Sequence, residues 1–259
     1  MSNLKNKKAY ISGGSSGIGR AVAELFIEQG AQVVIADIVD GTSVANEIGA
    51  QYVHCNVADE QSVADSFTQT CEILSGNLDI VVLNAGVGDV GYSLQETEFE
   101  LLEKLTKINQ WGVLYGLKYA PKYMNDGGSI INTSSMAAVL NIPGSGVYSA
   151  GKRAILSMTE MAALELCERN IRVNAVCPGY VNTALGNSPE EKRFSEVLTA
   201  IGRHAEPKED IAPVYAFLAS NASRYMTGQT IKIDGGMDLG PTEKLLELVT
   251  GSAASPGKK

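Results

Sequence analysis

Tyr148 and Lys152 stand four residues apart in Tyr148-Ser149-Ala150-Gly151-Lys152. On a helix that spacing puts both side chains on one face, one turn apart. A phenol is a weak acid, with a pKa of about 10. An ammonium beside it favours the phenolate and is expected to pull that pKa down towards neutrality. A phenol so tuned takes a proton from an alcohol or gives one to a carbonyl. Ser135 lies upstream, across a loop holding Pro143, Gly144 and Gly146. If that loop folds back, the Ser135 hydroxyl and the Tyr148 oxygen can hold a substrate oxygen between them. Taken alone, the pair equally describes a half-buried helix tyrosine beside a solvated lysine.

A second constellation lies near the N-terminus. Lys8 to Ser12 reads as a strand, followed by Ser12-Gly13-Gly14-Ser15-Ser16-Gly17-Ile18-Gly19. Ile18, Val22, Leu25 and Phe26 then recur at helical spacing, and Gly30 is placed to end the helix. Glycines on a strand-to-helix turn let the backbone approach a pyrophosphate, whose charge faces the free N–H groups of the helix. Gln32 to Ala36 is a buried-type second strand, and Asp37 stands just past it. A carboxylate there accepts hydrogen bonds from both adenosine ribose hydroxyls and repels a 2′-phosphate. Ser16 and Ile38 supply no positive charge nearby, so the expected cofactor is NAD rather than NADP. An ordinary capping aspartate is the other reading of Asp37.

The elements that must position these groups alternate strand and helix, which argues for a doubly wound parallel sheet. Strands are expected at Gln51 to Cys55, Leu78 to Leu83, Gly128 to Thr133, Ile171 to Cys177 and Gln229 to Ile233. Asp59 looks like the cap of a helix running to about Leu74. A helix from about Glu98 to Met124 contains Asn109, an unfavourable interior residue and so a candidate for a special role. The Tyr148 helix is expected to reach about Glu168, and another helix to span Lys208 to Ser220. Asn56 either bonds adenine or makes a turn. The Asn84 amide is placed to tie neighbouring strands, and Ala85 and Gly86 leave room for a cofactor. The fifth strand delivers Ser134 and Ser135 at its carboxyl end, where catalytic groups of open parallel sheets collect. Residues 184–205 show no clean strand pattern and are expected to form a mobile lid. One dinucleotide-binding and catalytic domain over 1–240 is expected, with 241–259 as a partly disordered tail.

Composition narrows the classes. The 259 residues carry a net charge of −8, with 44% hydrophobic and 19% charged side chains, as in a globular core. The acidic balance argues against nucleic acid or an anionic membrane surface as partner. No apolar run approaches the roughly 20 residues that cross a bilayer. The start, MSNLKNKKAYISGG, lacks an export signal, and Cys55, Cys71, Cys167 and Cys177 are scattered. A cytoplasmic protein with free thiols is expected. Neither His54 nor His204 sits in a zinc motif, so no metal is expected.

The glycine turn, Asn84-Ala85-Gly86, Asn109, Ser135, Tyr148, Lys152 and Pro178-Gly179, in this order, resemble the short-chain dehydrogenase/reductase family over about residues 6 to 238. The family's first motif threonine is Ser12 here. The first asparagine of its usual Asn-Asn-Ala-Gly is Leu83, and the aspartate before Val57 is Asn56. The resemblance implies a Rossmann-type sheet of seven parallel strands in the order 3-2-1-4-5-6-7, with helices on both faces. It implies Tyr148 as general acid/base and Lys152 as the group that lowers its pKa and holds the nicotinamide ribose. Ser135 would orient the substrate oxygen, and Asn109 would hold a water joining Lys152 to solvent. Ser12, Gly13, Ser15, Ser16, Gly17, Ile18, Gly19, Asp37, Asn56, Val57, Asn84, Ala85, Gly86, Pro178, Gly179, Val181 and Thr183, with Tyr148 and Lys152, would line the cofactor groove. Met136, Ala137, Ile142, Tyr180 and Leu185 would wall the substrate, with Val139 and Phe194 to Leu198 nearby, and their apolar character suggests a hydrophobic alcohol or ketone. Homotetramers or homodimers are usual, with the Tyr148 helix in the interface. The expected activity is NAD-dependent interconversion of a secondary alcohol and a ketone. Reduction of 3-oxoacyl groups on an acidic carrier protein is the rival enzyme reading, and a non-catalytic NAD-binding module the rival from another class.

Overall fold

A computed structural model describes residues 3–88, 91–186 and 188–251. Its seven strands are β1 (Lys8–Ser12), β2 (Gln32–Asp37), β3 (Gln51–His54), β4 (Leu78–Leu83), β5 (Met124–Thr133), β6 (Arg172–Pro178) and β7 (Thr230–Ile233). They form one sheet in the order β3-β2-β1-β4-β5-β6-β7, every neighbouring pair parallel. The order reverses between β1 and β4, so a crevice opens beyond their carboxyl ends.

The strands read as unbroken apolar runs because both faces are covered. Along β1, Ala9 and Ile11 face one core and Tyr10 the other. The first core packs β1, β2 and β4 against α1 (Gly17–Glu28) and α8 (Ala212–Ala219) through Val22, Phe26, Tyr215 and Leu218. The second packs the opposite face against α3 (Glu60–Ile73), α5 (Gly112–Tyr123) and α6 (Gly146–Glu165). There the Tyr10 ring stacks on Phe67 at 4.4 Å, and its hydroxyl meets Ser66 Oγ at 3.0 Å. Asp59 caps α3 as expected, its carboxylate accepting from the amides of Gln61 and Ser62.

The expected helix over 98–124 is two helices, α4 (Phe99–Thr106) and α5, joined by a π-helical turn, Lys107–Trp111, around Asn109. Strand β5 begins four residues earlier than expected, at Met124; Leu78 pairs with Met124 and, after a register shift, Ile80 with Ser129. Helix α6 stops at Glu165, and a short 3₁₀ turn, Cys167–Arg169, follows. Three further helices went unread in the sequence: α2 (Thr42–Ile48), α7 (Pro189–Leu198) inside the expected lid, and α9 (Glu243–Thr250) inside the expected tail. Helix α7 carries a capping box, Ser188 with Glu191. The C-terminal segment is tied to α7 and the chain just after it. The Thr242 hydroxyl donates to the Val197 carbonyl, and the Ile201 amide donates to Gly235 at 3.1 Å. The expectation for residues 252–259 lies outside the described residues.

Candidate active site

The glycine turn is built for close approach. Gly13 has φ +64°, and a Cβ there would lie 2.8 Å from Ala85 Cα. A Cβ on Gly19 would lie 2.1 Å from the Gly13 carbonyl oxygen. Ser16 caps α1 in extended conformation without a side-chain bond, and the first turn of α1 holds no acidic residue. The first-turn N–H groups therefore face outwards with the positive end of the helix behind them. Ser12 Oγ accepts from the amides of Asn84 (3.0 Å) and Ala85 (3.2 Å). The Asn84 amide nitrogen donates to the carbonyls of Ser12 and Gly13, both at 3.2 Å, and its oxygen accepts from the Thr133 hydroxyl at 3.3 Å. One side chain thus joins the ends of β1, β4 and β5, the tie expected of it.

Asp37 closes β2 with a fixed carboxylate: Oδ2 accepts from the Ser15 amide (3.1 Å) and Oδ1 from that of Val39 (3.2 Å). Exposed Ile38 and Ser16 flank it without charge. Ser15 Oγ is buried with no hydrogen-bond partner. Asn56 makes an Asx turn, its oxygen accepting from the Ala58 amide at 3.1 Å. Val57 packs under α5, against the Gly112 backbone.

Strand β5 and helix α6 bring the proposed reacting groups together. Tyr148 sits in the first turn of α6, and its phenol lies close enough to the Ser135 hydroxyl for that hydroxyl to lower its pKa. Lys152, one turn on, is only 4% exposed. Its ammonium donates to the Thr133 carbonyl at 3.1 Å and stands 5.8 Å from the centre of the Tyr148 ring. Gly86 is the meeting point: a Cβ there would lie 2.9 Å from Asn109 Oδ1 and 3.1 Å from Lys152 Nζ. Asn109, fully buried, pairs with the backbone of Val87, accepting its N–H at 3.0 Å and donating to its carbonyl at 2.9 Å. Its amide thus holds segment 86–88 against the π-helical turn.

The electrostatics differ from the expectation for this pair. Burial holds the Tyr148 phenol above its ordinary pKa, with the nearby Ser135 hydroxyl pulling the other way. Burial also brings Lys152 down to about 8. The lysine is directed at a carbonyl rather than at the phenol, and desolvation governs both groups.

The expected substrate wall divides. Met136 and Ala137 are buried under the Ser135 turn, while Ile142 and Leu185 are exposed. Leu185 packs over Gly88, where a Cβ would lie 3.2 Å from its Cδ1. The half-buried Tyr180 ring meets His204 edge-on at 5.7 Å. Beyond Pro178, Gly179 donates its amide to Ile233 at 2.9 Å, Val181 bridges to Ala205, and Thr183 reaches over Gly17, 3.4 Å from a Cβ placed there. Thr133 was missed in the sequence; it acts on Lys152 through its carbonyl, which every residue has. Among the described residues no group of His, Cys, Asp and Glu is placed to hold a metal, and no helix is long and apolar enough to cross a membrane.

A family model described as enoyl-(acyl carrier protein) reductase matches residues 13–238. Secoisolariciresinol dehydrogenase from Forsythia intermedia is 36% identical over 251 residues, 91% of this chain and 90% of its own. A 2,5-dichloro-2,5-cyclohexadiene-1,4-diol dehydrogenase from Sphingobium indicum is 36% identical over 248 residues, covering 91% and 98%. Among solved structures, a short-chain dehydrogenase from Burkholderia cenocepacia in complex with NADP matches with a TM-score of 0.86 at 28% identity, over 91% of this chain and 99% of its own.

Proposed function

The chain belongs to the short-chain dehydrogenase/reductase family, and on that premise we propose that it is an NAD-dependent oxidoreductase interconverting a secondary alcohol and a ketone, with Tyr148 as general acid/base. The observation that carries this is the placing of Ser135 and Lys152 around the Tyr148 phenol, with Lys152 next to Gly86.

The residues fit a dinucleotide. Gly13 and Gly19 leave a backbone cradle that a Cβ would fill, the first turn of α1 offers its N–H groups, and the buried Ser15 hydroxyl lacks a partner. Ser12, Gly13, Ser15, Ser16, Gly17, Ile18 and Gly19 would hold the pyrophosphate side, with Asp37 on the adenosine ribose and Asn56 and Val57 near adenine. Asn84, Ala85, Gly86, Pro178, Gly179, Val181 and Thr183 would flank the nicotinamide half. When bound, the nicotinamide supplies or accepts the hydride. The protein does the rest. Tyr148 exchanges the proton of the substrate oxygen, Ser135 orients that oxygen and shields its developing charge, and Lys152 adds a positive charge at the back of the site. Asp37 between two uncharged neighbours supports NAD over NADP, although the Burkholderia relative holds NADP.

Two relatives are named for dehydrogenation of secoisolariciresinol and of a dichlorocyclohexadiene diol. Together with the apolar Met136, Ala137, Ile142, Tyr180 and Leu185, these names support a ring-bearing secondary alcohol. We take 1–240 as the cofactor-binding and catalytic domain and 241–259 as its tail, in a cytoplasmic homotetramer or homodimer. Exposed Phe99, Leu102, Leu114, Met161 and Leu164 supply apolar surface for that association. The description of the family model favours a second reading, reduction of an acyl chain on a carrier protein. The net charge of −8 opposes docking of an acidic carrier. A panel of cyclic alcohols with NAD⁺ or NADP⁺, read at the absorbance of the reduced cofactor, tests the reading. Turnover with NAD⁺ is expected; activity confined to NADP⁺, or to carrier-bound acyl chains, overturns it.

A further inference from the structure

The turn that carries Ser135 is gripped at both ends by one stretch of α6. On its N-terminal side the Ser134 hydroxyl donates to the main-chain carbonyl of Lys152 at 2.7 Å. On its C-terminal side Arg153 Nε donates to the Ala138 carbonyl at 2.7 Å, and the guanidinium also reaches the carbonyl of Val139 at 3.4 Å. Between these grips Ser135 caps the short 3₁₀ turn Met136–Ala138, its Oγ accepting from the Ala137 amide at 3.1 Å. Consecutive residues of the helix that holds Tyr148 therefore fix both flanks of the serine that meets Tyr148.

The residue type suits the task. Carbonyls at the end of a helical turn lack partners within it. A guanidinium is a planar fork with five donors and no acceptor, so one side chain serves two carbonyls from a fixed direction. Hydrogen bonds from a charged donor are shorter and stronger than neutral ones. The bond to Ala138 spans fifteen positions of chain, across the loop 139–145 that leads back to α6. Loss of this grip frees the C-terminal half of the turn, and with it the direction of the Ser135 hydroxyl.

We propose that Arg153 is a positioning residue, setting the Ser135 hydroxyl against the Tyr148 phenol through the carbonyls of Ala138 and Val139. This rests on the reading of Ser135 and Tyr148 as the groups on the reacting oxygen. The test uses Arg153→Met, which keeps an apolar stem and removes the donors, alone and combined with Ser135→Ala. With a cyclic alcohol and NAD⁺, Arg153→Met is expected to lower kcat by roughly tenfold to a hundredfold, the scale of a small misplacement, with the NADH dissociation constant unchanged within twofold. In the Ser135→Ala background it should lower kcat no further, because the group it positions is gone. Equal losses in both backgrounds, or a lower melting temperature with kcat intact, overturn the proposal.

A second measurement needs no turnover. The ultraviolet titration of the Tyr148 phenol is taken as the difference from Tyr148→Phe. The groups facing that phenol are Ser135, Lys152 on α6 and Cys177 on β6. Since the Ser135 hydroxyl lowers the phenol's pKa, Arg153→Met should move the midpoint up in the direction of Ser135→Ala. An unmoved midpoint rejects the positioning role. Absent turnover in the wild type, with this shift present, instead rejects the activity.

Discussion

The ammonium of Lys152 donates to the carbonyl of Thr133 across 3.1 Å, in a residue only 4% exposed. A charged group thus meets a neutral acceptor in a dry place. Burial lowers its pKa from 10.5 to about 8. Between those values the unfolded chain holds this proton more tightly than the folded one. Stability from this group therefore rises with pH through the window, and below it the buried charge costs about 3 kcal/mol.

Lys152→Met removes that charge and leaves the Thr133 carbonyl short of a donor, a loss of about 1–3 kcal/mol. The cofactor-free variant is expected to melt at or above the wild type at pH 7. The wild type should gain on it as pH rises from about 8 towards 10, while the variant's turnover is lost. Calorimetry at two pH values checks this, and a gap independent of pH would refute the buried-charge account.

Tyr148→Phe keeps the ring packing and removes the exchangeable proton. Turnover should fall by about 10² to 10⁴-fold, with NADH binding, followed by nucleotide fluorescence, unchanged within twofold. Near-normal kcat would assign the proton transfer elsewhere.

Asp37 is held by the amides of Ser15 and Val39, so its charge is fixed in place. Asp37→Ser with Ile38→Arg replaces repulsion of a 2′-phosphate by attraction. The ratio of kcat/KM for NADH over NADPH should fall by at least about tenfold, which corresponds to about 1.4 kcal/mol. A ratio that stays put would remove Asp37 from cofactor choice.

Asn84→Ala takes the side-chain donor from the carbonyls of Ser12 and Gly13 and leaves the Thr133 hydroxyl only its bond to Tyr215. A loss of about 2–4 kcal/mol is expected, seen as a melting point lower by roughly 5–15 °C, together with weaker NADH binding. An unchanged melting point would mean that water replaces the amide without cost.

Much of the site was legible because its pieces are punctuated. Gly13, Gly17 and Gly19 mark a turn, apolar runs mark β1, β2 and β4, and Tyr148 and Lys152 keep helical spacing. What was missed lacks a hydrophobic signal. Of α7 only Ser195 is buried, so no apolar stripe announces it; its capping box at Ser188 and Glu191 was the available clue. The early start of β5 is hidden by Asn125-Asp126-Gly127-Gly128, which reads as a turn. The direction of the Lys152 ammonium depends on a carbonyl, and sequence carries no information on where a carbonyl points.

The strap from Asp234 to Thr250 rests on α7 and the residues just after it, through Thr242 on Val197 and Gly235 on Ile201. The chain therefore has unequal ends for protein engineering. Leu4 enters at the amino edge of β1, far from the crevice. A fusion partner joined directly after Gly251 loads α7 and the residues just after it through these bonds, whereas one placed ahead of Leu4 loads only the amino edge of the sheet.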